Sequence, residues 1–218
     1  IGALLFLGGL WWIWRSRNPF YYGVYAGSSI GGGIYEWIYD SRYYFRLTAD
    51  DKFIAAWTMD GVEAPLAMIL FYAFFFGIPL LLLVERHEAL VRRFGPRGLY
   101  AMLALLGIVG TPLFECLNTS VTHIYRYHQA EEHLFYGMPY SNMWFGAMMF
   151  IFPYWGLVQS RRLLGFPQTA AHELSPELRR IAIALGFASI ITGFFVASTV
   201  NGVWYAWAEP WVESPRPF

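Results

Sequence analysis

The sequence predicts an all-α, polytopic membrane helix bundle of about six spans, and three observations predict it. The chain is 57% hydrophobic and 20% aromatic. Only 14% of its residues are charged, against roughly 25% in soluble domains. The apolar residues gather into six stretches, near 1–14, 19–39, 62–84, 97–118, 140–160 and 178–205, each approaching the roughly 20 residues that a helix needs to cross a bilayer. No connection resembles a soluble domain, so 1–218 reads as a single transmembrane domain.

The first stretch, Ile1 to Trp14, ends in Arg15 and Arg17. A signal peptide puts its positive charge first, so this run reads as a membrane helix. Its fourteen residues rise only about 21 Å, short enough for the span to have lost residues upstream of Ile1. In the second stretch Gly27 and Gly31 form a GxxxG step extended by Ser28, Ser29, Gly32 and Gly33, a surface on which another helix can approach closely. No lysine follows these glycines, so a phosphate-cradling loop is not expected. Pro65, Pro79, Pro112 and Pro153 fall within or at the ends of later spans, where they free carbonyls and bend helices. The tail from Pro210 reads as an extended terminus.

Fifteen basic and fifteen acidic residues cancel, which leaves no basic field for nucleic acid. The single cysteine, Cys116, has no internal disulfide partner. Orientation follows from the basic residues of alternate loops, because these are retained on the cytoplasmic side. One set holds Arg15, Arg17, Arg86, Arg92, Arg93, Arg97, Arg161, Arg162, Arg179 and Arg180; the other holds Arg42, Arg46, Lys52, Arg126 and Arg216. The asymmetry places both termini and the 40–61 and 119–139 loops outside. The expected location is a multi-pass position in the cell membrane, with the site facing outward.

Intramembrane carboxyls cost a few kcal/mol and usually face a bundle interior or a watered cavity. Glu36, Glu63 and Glu115 sit near the outer ends of three spans, and three at one level point to a shared pocket. Asp40 follows Glu36 by four residues, so on a continuous helix the two carboxyls share a face and repel when both are ionised. One that keeps its proton is a usable general acid near neutral pH; the rival reading is a structural ion pair with Arg42 or Arg46. Asn118, Asn142 and Asn201 are amides at the same level, able to orient a substrate oxygen, and Asn142 is also placed to cap a helix. Many aromatics, among them Trp37, Trp57, Tyr136, Trp144 and Trp204, crowd the outer boundary. An interfacial aromatic belt accounts for most of them.

The spelling His-Gln-Ala-Glu-Glu-His over 128–133 invites a metal reading with His128, Glu132 and His133 as ligands. His133 is five residues from His128, about 140° round a helix, and the spelling matches neither zinc motif of paired histidines. A solvated loop helix is the better expectation, and no cofactor is expected.

Read together, Gly33-x-x-Glu36-x-x-x-Asp40, Gly61-x-x-x-Pro65 with Tyr72 and Gly77, Glu115, and Tyr136-Gly137-x-Pro139-x-x-Asn142-x-Trp144 resemble the membrane proteins grouped with the spirocyclase AveC. The last motif is also similar in style to membrane carotenoid hydratases. Val62 stands where the first family is expected to carry an arginine. The resemblance implies acid-promoted cyclisation, dehydration or hydration of a lipophilic polyketide or terpenoid. It casts Glu36 or Asp40 as acid, Glu115 as counterpart and Glu63 as support. Asn118, Tyr136, Asn142, Trp144 and Asn201 would hold the substrate. Two other readings stand beside it: an accessory subunit that binds lipid, pigment or partner helices, or a homo-oligomer partner, and a metal-dependent membrane oxidase.

Overall fold

The computed structural model describes residues 2–42, 47–49, 54–59, 62–121, 123, 125–127, 134–165 and 174–208. Helices form its body. They are α1 (Gly2–Ser16), α2 (Pro19–Arg42), α3 (Leu66–Tyr72), α4 (Ile78–Glu85), α5 (His87–Cys116), α6 (Ser141–Leu163) and α7 (Pro176–Ala208). A π-helical segment, Ala73–Gly77, joins α3 to α4, and a second, Leu117–Val121, continues α5. Pro79 supplies the reason for the first: it lacks the N–H that would bond the Phe75 carbonyl, and a wider turn absorbs the lost bond. Within α5, Gly95 adopts φ 69° and ψ 166° ahead of Pro96, so a short helix from His87 meets the long one at a kink.

The all-α expectation leaves out short β-ladders. Strands β1 (Leu47–Ala49), β2 (Ala55–Met59), β3 (Val62–Pro65), β4 (Tyr125–Tyr127), β5 (Leu134–Phe135) and β6 (Met138–Pro139) pair two by two, all antiparallel. The third apolar stretch accordingly becomes helical only at Leu66. Pro65 disfavours helical backbone at the residue before it, and 62–65 pairs with β2 instead. Strand β1 pairs with β4, Thr48 opposite Arg126, so the two loops that the charge pattern assigns to one side are physically joined. The loop helix expected over 128–133 falls outside the described residues; on either side of it the 119–139 loop forms β4 and the β5–β6 hairpin.

Helix α7 is the hub, packed against α2 and α6, while α5 packs on α6. Small residues set the α2–α7 distance. A Cβ at Gly23 would land on the Ile183 carbonyl, and one at Gly27 would come within 2.9 Å of the Phe187 carbonyl. At Gly31 the neighbours are side chains, Ile191 and Phe194, each 3.3 Å away. The expectation that Gly27 and Gly31 lie against a helix holds, and Gly23 extends the step by one turn. Gly107 of α5 closes in the same way on Gly146 of α6, and Gly193 of α7 on Pro153 of α6.

These contacts fix direction as well as distance. Residues 23, 27 and 31 meet successively later residues of α7, so α2 and α7 run parallel; α6 runs antiparallel to both α5 and α7. Arg15, Arg17, Arg162 and Arg179 therefore share one end of the bundle, and the ladders lie at the other.

His87–Val121 and Pro176–Val203 are long and apolar enough to cross a membrane, with mean hydropathy 1.7 and 2.1. Only 28% of the most apolar window of the first is buried. Leu105, Val109, Leu113 and Val121 point outward along it, unlike a core helix of a soluble protein.

Candidate functional site

At the ladder end polar side chains turn inward. Glu115 and Asn118 near the end of α5, Asn142 in the first turn of α6, and Ser198 and Asn201 on α7 are all buried, Asn201 completely. The seams place them in register. Gly107 and Thr111 both meet Gly146; one further turn on α5 and one turn back on α6 bring Glu115 level with Asn142. From the Pro153–Gly193 contact the same step puts Asn201 within about a turn of that level. Continuing α2 and α7 past Gly31 brings helix positions 36 and 40 level with Ser198 and Asn201. Helix α2 runs unbroken through Glu36 and Asp40 at i and i+4; their side chains, and that of Glu63, lie outside the described residues. Glu63 itself belongs to β3, opposite Thr58, and not to a transmembrane helix as expected.

The end of α5 is shaped by its π turn. Asn118 Nδ2 donates to the Phe114 carbonyl at 2.9 Å, the acceptor that its own N–H would use in a regular α-helix. Thr119 Oγ1 lies 2.9 Å from both the Glu115 and Tyr136 carbonyls, and its one proton serves one of them at a time. Ser120 also donates to the Tyr136 carbonyl, and the His123 ring bonds the Thr119 carbonyl at 3.0 Å. The backbone around Glu115 is thereby tied to the β5–β6 hairpin.

That hairpin explains the Tyr-Gly-x-Pro spelling structurally. Phe135 pairs with Met138 across a two-residue turn in which Tyr136 and Gly137 have φ 48° and 76°. Both values are positive, as a type I′ turn requires. A Cβ at Gly137 would come 3.1 Å from Thr119 Oγ1, so the glycine also permits the close approach. A bulky residue at positive φ is rare, and the Tyr136 side chain is 70% exposed. Its backbone, rather than its ring, engages the π turn. Trp144 is likewise exposed, two residues from buried Asn142 on the opposite side of the helix. Asn142 is not the helix cap that its position suggests: the cap position is Tyr140, with no side-chain cap bond, and the amide is used inside the bundle.

The sequence points to aromatics at the boundary, whereas the described ring cluster is deeper. Phe71 and Phe75 stack on Phe114, with centroids 4.5 and 4.8 Å away, and Phe76 meets Phe150 and Phe194. This cluster links α3, the first π segment and α5 to α6 and α7, and Phe114 is the residue next to Glu115. The run Phe71-Tyr-Ala-Phe-Phe-Phe76 was the available signal.

A second polar group lies at the opposite end, where no local sequence pattern marks it. His87 Nδ1 and the fully buried Tyr154 hydroxyl share a 2.8 Å hydrogen bond.

Of the metal candidates, His128, Glu132 and His133 lie outside the described residues. Among the described residues no three His, Cys, Asp or Glu side chains gather as metal ligands would. Comparison with protein-family models, curated proteins and solved structures finds no match.

Proposed function

We propose that the chain is a six-span membrane protein that performs proton-transfer chemistry on a lipophilic substrate at its ladder end. The observation that carries this reading is Glu115: a carboxyl only 9% exposed, next to an aromatic wall, at the level of two buried amides. Carboxyls are placed so deep in an apolar helix at a cost, and when they are, the position usually serves a site. The outward-facing leucines and valines of α5 support the membrane reading.

In the dehydration form of the reaction, a carboxylic acid on α2, Glu36 or Asp40, protonates a substrate hydroxyl. Water leaves, and the Glu115 carboxylate removes a proton from the adjacent carbon to give an alkene. Hydration runs these steps backward; in cyclisation a second hydroxyl attacks the cationic carbon in place of the carbon–proton loss, and the hydroxyl's own proton passes to the Glu115 carboxylate. The faces of Phe75 and Phe114 lower the energy of the developing cation. The polyketide or terpenoid class of substrate follows from the AveC-like motifs.

The test compares lipophilic molecules that co-purify with wild type and with Glu115→Gln, by mass spectrometry after incubation in nanodiscs. The amide keeps size and polarity but cannot accept the proton. A bound species that gains or loses water with wild type, and stays unchanged on the variant, is expected. Equal conversion by both proteins would remove Glu115 from the chemistry.

A further inference from the structure

At the end opposite Glu115 an open cleft of about 880 Å³ is lined by three arginines, Arg15, Arg17 and Arg179, together with Trp14, Tyr22, Pro19 and Ile183. Three segments build it: the end of α1, the turn into α2, and the first turns of α7. The turn is fixed by its own bonds, Asn18 N–H to Ser16 Oγ at 3.3 Å and Phe20 N–H to Asn18 Oδ1 at 3.1 Å, with Arg17 at φ 53° between them. Arg179 is anchored by its Nε, which donates to the Leu174 carbonyl at 3.1 Å. The Arg15 guanidinium lies over the Trp11 ring, 5.2 Å from its centroid. Among the described residues no acidic side chain lines the cleft; Glu177, on the same turn of α7 as Arg179, is exposed and outside the lining.

Three arginines on separate segments border one opening, and together they can form a recognition surface for an oxyanion with several acceptor oxygens, because the arginine fork matches phosphate geometry. The remaining walls decide which phosphate. Trp14 and Tyr22 are aromatics at the boundary between an apolar helix and a cationic turn, the level at which headgroups sit. Pro19 and Ile183 continue the apolar surface toward the bilayer. The volume falls within the roughly 300–1,000 Å³ of small-molecule sites. A free phosphate needs neither the apolar wall nor that space.

We propose that this cleft binds the phosphate headgroup of an anionic phospholipid. The three arginines hold the phosphate oxygens, while Trp14 and Ile183 line the path of the glycerol and upper chains. The proposal rests on the membrane placement above and not on the proton-transfer chemistry, so either can fail alone.

The experiment is native mass spectrometry of the full chain in neutral detergent, titrated separately with phosphatidylglycerol, phosphatidylcholine and inorganic phosphate. Wild type should retain phosphatidylglycerol over phosphatidylcholine. An arginine held against an anionic headgroup contributes about a fivefold preference, so Arg17→Gln/Arg179→Gln should lose about twenty-fivefold. Arg92→Gln/Arg93→Gln, at the same end but outside the cleft, removes the same charge and should lose clearly less. Arg15→Lys alone, which keeps charge and fold but loses the fork, should show a smaller loss, so misfolding of the double variant cannot decide the result. Equal losses in the cleft and control variants would reduce the effect to unspecific charge and overturn the proposal. So would equal retention of the two lipids, or displacement of the lipid by inorganic phosphate at comparable concentration, which would assign the cleft to a soluble phosphate.

Discussion

At the arginine-rich end, α2 and α7 close backbone on backbone, and the charged side chains stay outside. A Cβ at Gly23 meets the Ile183 carbonyl, while Arg15, Arg17 and Arg179 remain exposed around an open cleft. At the ladder end the same helix pair closes through the yielding side chains of Ile191 and Phe194. There polar groups face inward: Glu115, Asn142 and Asn201 are buried, and each is engaged by a neighbour. The contrast teaches that the α2–α7 seam is tightest away from the buried carboxyl and amides. Backbone contact holds the two helices together at the arginine end, and the end that buries Glu115, Asn142 and Asn201 is built from a π turn, short ladders and side-chain contacts.

Glycine replacement breaks this comparison most sharply. Overpacking against a yielding side chain costs about 1–3 kcal/mol, and a carbonyl cannot rotate aside as a side chain can. Gly23→Leu is therefore expected to abolish most folded protein, measured as monodisperse yield in detergent, whereas Gly31→Leu should lower thermal stability and remain recoverable. Equal damage at both positions would mean that the two ends are equally tight.

The smallest effect is expected at the Glu88–Arg92 pair, 3.9 Å apart with both side chains more than two-thirds exposed. Arg92→Ala should change stability by no more than about 0.5 kcal/mol in denaturant titration, in keeping with an end whose charges are solvated.

The helices were legible because lipid-length apolar runs leave a strong signal. The second, fifth and sixth stretches, 19–39, 140–160 and 178–205, match α2, α6 and α7 to within three residues at each end. The Gly27–Gly31 step named a true contact surface but not its partner, since a small-residue stripe carries no address. What stayed hidden depends on tertiary pairing. Glu63 looked helical because 62–65 joins an apolar run, yet Pro65 and the partner strand hold it extended. Tyr136 looked like a ligand residue, although its spelling is that of a tight hairpin whose backbone receives the Thr119 hydroxyl. His87 and Tyr154 are 67 residues apart, and no local pattern joins them. Buried Glu115, Asn142 and Asn201 were anticipated as polar residues at one level, which periodicity and charge asymmetry can show; the π turn beside Glu115 has no sequence signature of its own.

The central claim is that the buried carboxyl–amide level and the arginine cleft lie at opposite faces of one membrane. Single-cysteine labelling in intact cells tests it most directly, on a Cys116→Ser background with a membrane-impermeant maleimide. Thr48→Cys and Arg126→Cys, on the paired strands of the ladder end, should label from outside, and Arg93→Cys should label only after permeabilisation. Labelling of Arg93→Cys in intact cells with protection of the other two would invert the orientation, and labelling of all three from outside would contradict the membrane-spanning account itself.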